Sequence, residues 1–205
     1  FHEIANEIYH FVWHIYCDWY IEFAKSLFNE SSSNSKETKS TAIWVFKEIL
    51  KLSHPVMPFI TEKIWNDMFN NSQFLMNENF TKIINVQDYN VSKTNFTNLI
   101  TIITLIRNLR SELNIPYKNS IILNINNEDD NFILFLKSYE TEIIRLLKLK
   151  YLLLNDNSIS NKGSANIITS NSTLIIPLDG IIDTPKEILK LSIKKEKATL
   201  ELQNL

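Results

Sequence analysis

The sequence has 205 residues, of which 44% are hydrophobic and 21% charged, so it can bury the core of one good-sized domain or of two small ones. It contains no apolar stretch long enough to cross a bilayer, and its single cysteine, Cys17, excludes an internal disulfide framework and a multi-cysteine zinc site. The formal net charge of −2 excludes binding of nucleic acid by a bulk basic surface, so any such contact must come from a few local residues.

The chain begins with Phe1-His2-Glu3-Ile4, which has neither an initiator Met nor the basic and apolar regions of a signal peptide. We therefore expect a part of a longer protein. A cytoplasmic location is expected because a single cysteine fits a reducing compartment. The two glycines, Gly163 and Gly180, belong to no glycine-rich loop that could cradle phosphates, so no nucleotide is expected to bind by that route.

Four amphipathic helices are predicted in the first half of the chain. From His2 to Phe28, an apolar stripe recurs at steps of three and four, as on one face of a helix, and consists of Ile4, Ile8, Phe11, Ile15 and Trp19. The polar run Ser31 to Ser35 follows as a loop. Pro55 and Pro116 end later helices because a proline disfavours helix at the preceding residue, whereas Pro58 suits a first helical turn. The later helices are predicted at about residues 40–52, 58–69 and 92–113.

Four such helices predict a bundle with apolar residues turned inward. The inward residues predicted for the second helix are Ala42, Ile43, Phe46, Ile49 and Leu50. Those predicted for the third helix are Phe59, Ile60, Ile64 and Met68.

After Pro116 the pattern changes from helical spacing to short runs rich in β-branched residues. Strands are predicted at about residues 120–125, 150–154, 166–169 and 173–177, with one helix at about 131–147. The polar break Ser170-Asn171-Ser172 between two apolar runs predicts a hairpin. A small α/β unit is therefore expected after the bundle.

The C-terminal residues predict the first heptads of a coiled coil. The apolar positions on its three-and-four repeat, with Lys195 filling one slot, are Ile188, Leu191, Ala198, Leu202 and Leu205. The lysines that could meet phosphate from this helix, or form its solvated face, are Lys186, Lys190, Lys194, Lys195 and Lys197.

The reactive side chains form no pattern that indicates catalysis. His10, His14 and Asp18 lie at four-residue steps and could share a helix face, but a closed metal site needs a fourth ligand, so a structural histidine is the preferred interpretation. His54 has no Ser, Cys or carboxylate at a motif spacing that names a partner. Cys17 lies among aromatic residues, where a buried and inert thiol is expected. No catalytic residue and no metal site is predicted.

Two arginines are the candidates for contact with nucleic acid. Arg107 and Arg110 stand three residues apart on the fourth helix, away from its apolar stripe, where guanidinium groups could meet phosphates or stack on bases. Lys25 could extend this patch. The alternative interpretation is a solvated helix face with Glu112 nearby. The residues alone thus predict a soluble helical bundle with a small α/β unit.

Three segments together resemble the C-terminal region of bacterial valyl-tRNA synthetases. They are Phe11 to Lys25 (FVWHIYCDWYIEFAK), His54 to Trp65 (HPVMPFITEKIW) and Ile106 to Pro116 (IRNLRSELNIP). The stretch Leu174 to Ile182 (LIIPLDGII) is similar to the family's lead-in to a coiled-coil arm, so the resemblance covers essentially the whole chain. Leucyl and isoleucyl enzymes share the bundle, but the Asp18-Trp19-Tyr20 and His54-Pro55 features resemble the valyl branch.

The resemblance implies a mainly α fold: an antiparallel helical bundle that receives the anticodon stem and loop of valine tRNA, then a small α/β unit and a coiled-coil arm against the outer corner of the tRNA. The corresponding domains would be residues 1–116, 117–183 and 184–205. Catalytic and editing domains, with ATP and Mg²⁺ as the parent's cofactors, would lie elsewhere, because nothing in this chain resembles the HIGH and KMSKS signatures. The chain itself would carry no cofactor.

The resemblance also sorts the candidate residues into two sets. Those expected to contact tRNA, where splayed bases are stacked and read at their edges, are Arg107, Arg110, Lys25, Glu78 and Asn79. Those assigned to architecture are Asp18, Trp19, His54, Pro55, Pro58 and Trp65.

Three alternatives stay open. A helical protein-interaction module without tRNA affinity would expose an apolar patch on the bundle. A small hydrolase would show a deep pocket around His54. The equivalent domain of a leucyl or isoleucyl synthetase would differ from the first hypothesis only in the tRNA that it binds.

Overall fold

The computed structural model describes residues 2–28, 33–69, 73–81, 89–156, 158, 163–178, 180, 181, 192, 195 and 199. The predicted coiled-coil arm lies almost entirely outside the described residues. Of its predicted apolar and lysine positions, the structure describes Lys195. The others lie outside the described residues, namely Ile188, Leu191, Ala198, Leu202, Leu205, Lys186, Lys190, Lys194 and Lys197. The arm therefore stays a prediction.

Contacts between Cα atoms divide the chain into two compact units, Phe1–Gln87 and Asp88–Leu205, which we call the helical unit and the sheet unit. The coarse fold class is confirmed, because the described elements are mainly helices with one small mixed sheet. The fourth long helix belongs to the sheet unit, whereas the sequence grouped it with a bundle, so the four-helix bundle and the predicted domain bounds stay predictions. None of the described helices combines the length with the hydropathy that a membrane span requires.

The helical unit begins with one long helical run in three parts. They are α1 (His2–His10), a π-helical segment (Phe11–Ile21) and α2 (Glu22–Phe28). A π-helix is wound by i→i+5 hydrogen bonds, so a three-and-four repeat does not stay on one face. Tyr16 is accordingly the buried residue of this segment, whereas Phe11 and Ile15 of the predicted apolar stripe are exposed.

Two tyrosine hydroxyls attach this run to α3 (Ser33–Ser53). Tyr16 Oη donates to the Ala42 carbonyl at 2.9 Å, and Tyr20 Oη donates to the Thr38 carbonyl at 3.1 Å. Burial is the largest cause that raises the pKa of both hydroxyls above the ordinary value of 10.0. Because the folded-state pKa is the higher one, this contribution to stability is complete below the unfolded pKa and is lost as the pH rises through the folded pKa.

We expect the free energy of unfolding to fall as the pH rises above about 10, and we expect Tyr16→Phe to make that fall shallower. At neutral pH the same substitution removes one buried hydrogen bond and should cost about 0.5 to 1.5 kcal/mol. Urea unfolding from about pH 8 to about pH 11 measures both effects. Tyr9→Phe is the matched control because Tyr9 is 60% exposed. An identical pH dependence in both variants would contradict the assignment.

The core of the helical unit lies between α3 and α4 (Pro58–Phe69). Trp65 is 2% exposed and packs with Leu50 and with Leu75, which begins a short 3-10 helix. Around this cluster lie the half-buried side chains of Phe46, Ile64 and Phe69. Burial of an aromatic of this size stabilises the unit by several kcal/mol, on the order of the values known for large core side chains.

The predicted inward face of α4 is wrong in part. Phe59, Ile60 and Met68 are exposed, and the buried positions of α4 are Thr61 and Trp65. On α3 the prediction holds for Ala42, Ile49 and Leu50, which are buried, but Ile43 is 49% exposed.

A hydrogen-bonded turn before α4 explains the orientation of that helix. His54 Nδ1 lies 2.8 Å from Thr61 Oγ1, and Thr61 Oγ1 donates to the Met57 carbonyl at 2.8 Å. The backbone amides of Val56 and Met57 both donate to the Ser53 carbonyl, at 3.0 Å and 2.9 Å. These bonds turn Thr61, and with it Trp65 one helical turn later, toward the core.

Three helices and four strands have described bounds in the sheet unit. Its elements are α5 (Asn90–Glu112), β1 (Ile121–Asn127), α6 (Asp130–Ser138), α7 (Glu140–Leu147), β2 (Leu149–Leu154), β3 (Ser164–Ile168) and β4 (Ser172–Pro177). The strand order is β2-β1-β4-β3, with β1 and β2 parallel and the other two pairs antiparallel. The parallel pair requires the crossover that α6 and α7 supply. The predicted hairpin is confirmed by the antiparallel pairing of β3 with β4.

Where one helix was predicted at residues 131–147, the chain forms two, broken at Tyr139. The Tyr139 ring packs against Phe135 at 4.9 Å and against Phe96 of α5 at 5.1 Å, measured between ring centroids. The backbone of Tyr139 leaves the helical region (φ −110°, ψ 18°), and its amide donates to the Leu136 carbonyl. An aromatic contact with α5, invisible in local sequence, therefore accompanies the break.

The core of the sheet unit is mainly apolar and includes the buried face of α5. Fully buried side chains come from α5, both inner strands and α7, namely Leu99, Ile103, Ile106, Leu123, Ile125, Ile143, Leu147, Leu174 and Ile176. This core holds the C-terminal end of α5 in place, where both candidate arginines lie.

Candidate nucleic-acid interface

Arg110 lies in the last turn of α5 and is buried, with 6% of its surface exposed. Its Nη2 donates to the carbonyls of Asn119 at 2.8 Å and Lys148 at 3.3 Å, and its Nη1 donates to that of Pro116 at 3.4 Å. Burial lowers the pKa of Arg110, although the neighbouring Tyr117 acts in the opposite direction. The guanidinium therefore joins three chain segments, an architectural role that the sequence interpretation of a phosphate-binding arginine did not include.

The end of α5 is shaped by a left-handed residue. Asn114 has φ 50°, its amide donates to the Ser111 carbonyl at 3.2 Å, and the Ile115 amide donates to the Arg110 carbonyl at 2.8 Å. This pair of bonds is the Schellman arrangement, in which asparagine tolerates the left-handed conformation. The buried Ile115 side chain completes the cap, and the chain leaves the helix toward Tyr117.

A cavity of about 560 Å³ opens beside this cap. It is lined by Arg107, Arg110, Ser111, Asn114, Ile115, Tyr117, Leu146 and Leu147. We call it the α5-end cavity. Its floor is apolar, its rim carries hydroxyl and amide groups, and the Tyr117 ring, 63% exposed, lies 5.9 Å from the Arg110 guanidinium carbon. The size is within the range of about 300 to 1,000 Å³ usual for ligand sites.

The two candidate arginines thus have different environments on one cavity. Arg107 is exposed, whereas Arg110 is held in the wall. Sequence reasoning missed Ser111, Asn114 and Tyr117, although the Asn-Ile-Pro sequence after the helix was a readable signal for a left-handed cap that would turn Tyr117 outward.

The other predicted tRNA contacts lie in the helical unit. Lys25 is 51% exposed and forms an ion pair with Glu22. Glu78 is half-buried directly after the 3-10 helix, where its amide donates to the Leu75 carbonyl, and Asn79 is exposed. The structure therefore does not bring these three residues together with the arginines within one unit, and their contact with tRNA stays a prediction.

The residues assigned to architecture occupy varied environments. Trp65 is in the core and His54 is in the turn before α4, whereas Pro55 and Pro58 are exposed in that turn. Trp19 is half-buried and stacks on Phe23 with 6.4 Å between ring centroids. Asp18 is 51% exposed and lies 3.7 Å from His14 in an ion-pair geometry.

The metal and thiol hypotheses concern the end of α1 and the π-helical segment that follows it. The rings of His10 and His14 lie 5.2 Å apart, and no group of three or more His, Cys, Asp or Glu in the described part of the chain is arranged to hold a metal ion. Cys17 is exposed, so the expected buried thiol is wrong. The reason is the π-helical winding, which turns the neighbouring Tyr16 to the inside instead.

A second cavity, of about 720 Å³, is lined by the ends of β1 and β2 and by the β3–β4 hairpin. Its polar groups bind one another: Asn127 Nδ2 donates to the Ser172 hydroxyl at 2.7 Å, and the Asn127 backbone amide donates to Asn155 Oδ1 at 2.9 Å. The carboxylates of Glu128 and Asp129 also line it, which disfavours a phosphate. Neither cavity is lined by His54. The α5-end cavity is therefore the better candidate for an RNA contact.

Comparison with known proteins gives a family and a set of relatives. Residues 1–125 match the family described as the anticodon-binding domain of tRNA ligase. Proteins named valine–tRNA ligase are similar over nearly the full chain: 30% identity over 98% of it in Listeria monocytogenes, 29% over 98% in Listeria innocua and 27% over 100% in Bacillus subtilis. The chain spans only 23% of the length of each of these relatives.

Proposed function

We propose that this chain, which belongs to the family of anticodon-binding domains of tRNA ligases, is the tRNA-binding part of a valine–tRNA ligase. The observation that carries the proposal is the family match over residues 1–125, joined to relatives of that one name along 98–100% of the chain. Its partner is valine tRNA, bound at the anticodon stem and loop, with the arm against the outer corner of the tRNA.

The chemistry of the parent is assigned to domains outside this chain. The relatives are about four times as long, since the chain spans 23% of their length. Activation of valine with ATP and Mg²⁺, transfer to tRNA and hydrolysis of mischarged threonine belong to those domains. The role left to this chain is to hold the tRNA, in a protein that works in the cytoplasm.

The proposed contacts suit recognition of a single-stranded loop. A loop offers unpaired bases whose faces stack on aromatic side chains and whose edges accept hydrogen bonds, so a few groups on rigid elements are sufficient. An exposed Arg107 on α5 can meet a phosphate, and the exposed Tyr117 can meet a base. Local contacts of this kind are consistent with a net charge of −2. The proposal includes Lys25, Glu78 and Asn79 as further contacts.

A second candidate function, protein interaction, is favoured by exposed apolar side chains on α4. Phe59 is 92% exposed, and Ile60 and Met68 are 53% and 59% exposed. Single exposed apolar residues are ordinary, but a group on one helix is typical of surfaces that meet another protein. In a parent four times as long, such a surface is compatible with tRNA binding elsewhere on the chain.

A fluorescence-anisotropy titration tests the proposed function. We expect the chain to bind a labelled valine anticodon stem-loop more tightly than a stem-loop with a changed anticodon, and to bind both less tightly at higher salt, because phosphate contacts release counterions. Equal affinity for the two stem-loops would reduce the chain to a phosphate-binding surface. Absence of binding to either, and to full-length valine tRNA, would favour the protein-interaction function.

A further inference from the structure

We propose that the α5-end cavity takes in one unpaired nucleotide of the bound tRNA, with its base stacked on Tyr117 and its phosphate at Arg107. This inference rests on the proposed function and extends it, because it assigns the contact to a defined pocket in the sheet unit.

The first observation is an unsatisfied donor in the cavity wall. Only 6% of the Arg110 surface is exposed. Both terminal nitrogens of its guanidinium donate to carbonyls, but its Nε has no hydrogen-bond acceptor. The three carbonyls fix the plane of the guanidinium, so Nε cannot turn to find another partner. A buried donor without an acceptor is unfavourable, so the wall of this cavity carries a polar cost that the chain itself does not offset.

The second observation is the chemistry of the other lining groups. Tyr117 offers a ring with most of its surface exposed, which is a platform for a flat aromatic group. Ser111 and Asn114 line the same cavity with a hydroxyl and an amide, groups that read the edge of a base. The apolar floor of Ile115, Leu146 and Leu147 suits the face of a base rather than a free phosphate.

The third observation is charge. Arg107 is an exposed cation on the same cavity, one helical turn from Arg110, and the described residues that line this cavity include no Asp or Glu. A nucleotide has one group for each of these features. Its flat base can stack on Tyr117, the polar acceptors on the base edge can bind Ser111 and Asn114, and its phosphate can bind Arg107.

The experiment measures binding of full-length valine tRNA by anisotropy at several salt concentrations. Tyr117→Leu should weaken binding about tenfold at every concentration while leaving the slope of log affinity against log salt unchanged, because stacking involves no counterions. Tyr117→Phe keeps the ring, and its affinity for tRNA should be within about twofold of that of the unsubstituted chain. Thermal unfolding should be the same in all three proteins, since Tyr117 is exposed.

Tyr151→Leu is the matched control. Tyr151 is 56% exposed and lies 5.6 Å from the Lys150 ammonium, so it copies the exposed ring and neighbouring cation of Tyr117 without the cavity. We expect Tyr151→Leu to bind tRNA with the same affinity as the unsubstituted chain. Unchanged affinity in Tyr117→Leu, or an equal loss in Tyr151→Leu, overturns the pocket but leaves the proposed function standing. If the unsubstituted chain binds no tRNA, both the pocket and the proposed function are overturned.

Discussion

Replacing Arg110 with alanine is expected to destabilise the sheet unit by about 2 to 4 kcal/mol. The substitution removes the donor to three carbonyls, from Pro116, Asn119 and Lys148, and leaves a void in the cavity wall. Because the alanine variant no longer buries a cation, the desolvation cost of the guanidinium disappears, which offsets a part of this loss. Urea unfolding measures the total, and hydrogen exchange of β2, which begins one residue after Lys148, locates it in the sheet unit.

Arg107→Ala is the matched control for this prediction, since it removes the same side chain one helical turn away. Arg107 is exposed, so the substitution should change stability by no more than about 0.5 kcal/mol. It should instead weaken tRNA binding and reduce the salt slope by about one. Equal stability losses in the two variants, or an unchanged salt slope in Arg107→Ala, would contradict the different roles assigned to the two arginines.

Replacing Trp65 with alanine is expected to destabilise the helical unit by about 3 to 5 kcal/mol. Trp65 is 2% exposed and packs with Leu50, Leu75 and Phe69, so its loss leaves a cavity that the rigid α3 and α4 backbones cannot close. Domains have only about 5 to 15 kcal/mol of net stability, and this unit is therefore expected to unfold at a much lower urea concentration.

Trp44→Ala on α3 is the control for Trp65. It removes the same side chain from a position that is 50% exposed, and it should cost far less. Circular dichroism during urea unfolding compares the two. If both variants lost stability equally, the placement of the helical core around Trp65 would be wrong.

Much of the fold could be predicted because its signals are local. The prolines at 55, 58 and 116 marked helix ends, and the polar residues at 170–172 marked the β3–β4 hairpin, since each restricts the backbone of its own neighbours. The family motifs led to the tRNA-binding hypothesis without any tertiary information. Of the residues that line the α5-end cavity, the sequence indicated only Arg107 and Arg110 as candidates.

What the tertiary structure decided is which side chains face inward and what they bind. Arg107 and Arg110 look alike in sequence, but Arg110 is buried because carbonyls as far along the chain as Lys148 converge on it. Tyr139 breaks a predicted helix where its ring packs on Phe96 of a distant helix. The sequence by itself determined the family, through its motifs. It also determined the turns and most of the helices and strands, because these depend on the dihedral preferences of neighbouring residues. Burial and the cavity depend on contacts between residues far apart in the chain, which no local pattern records.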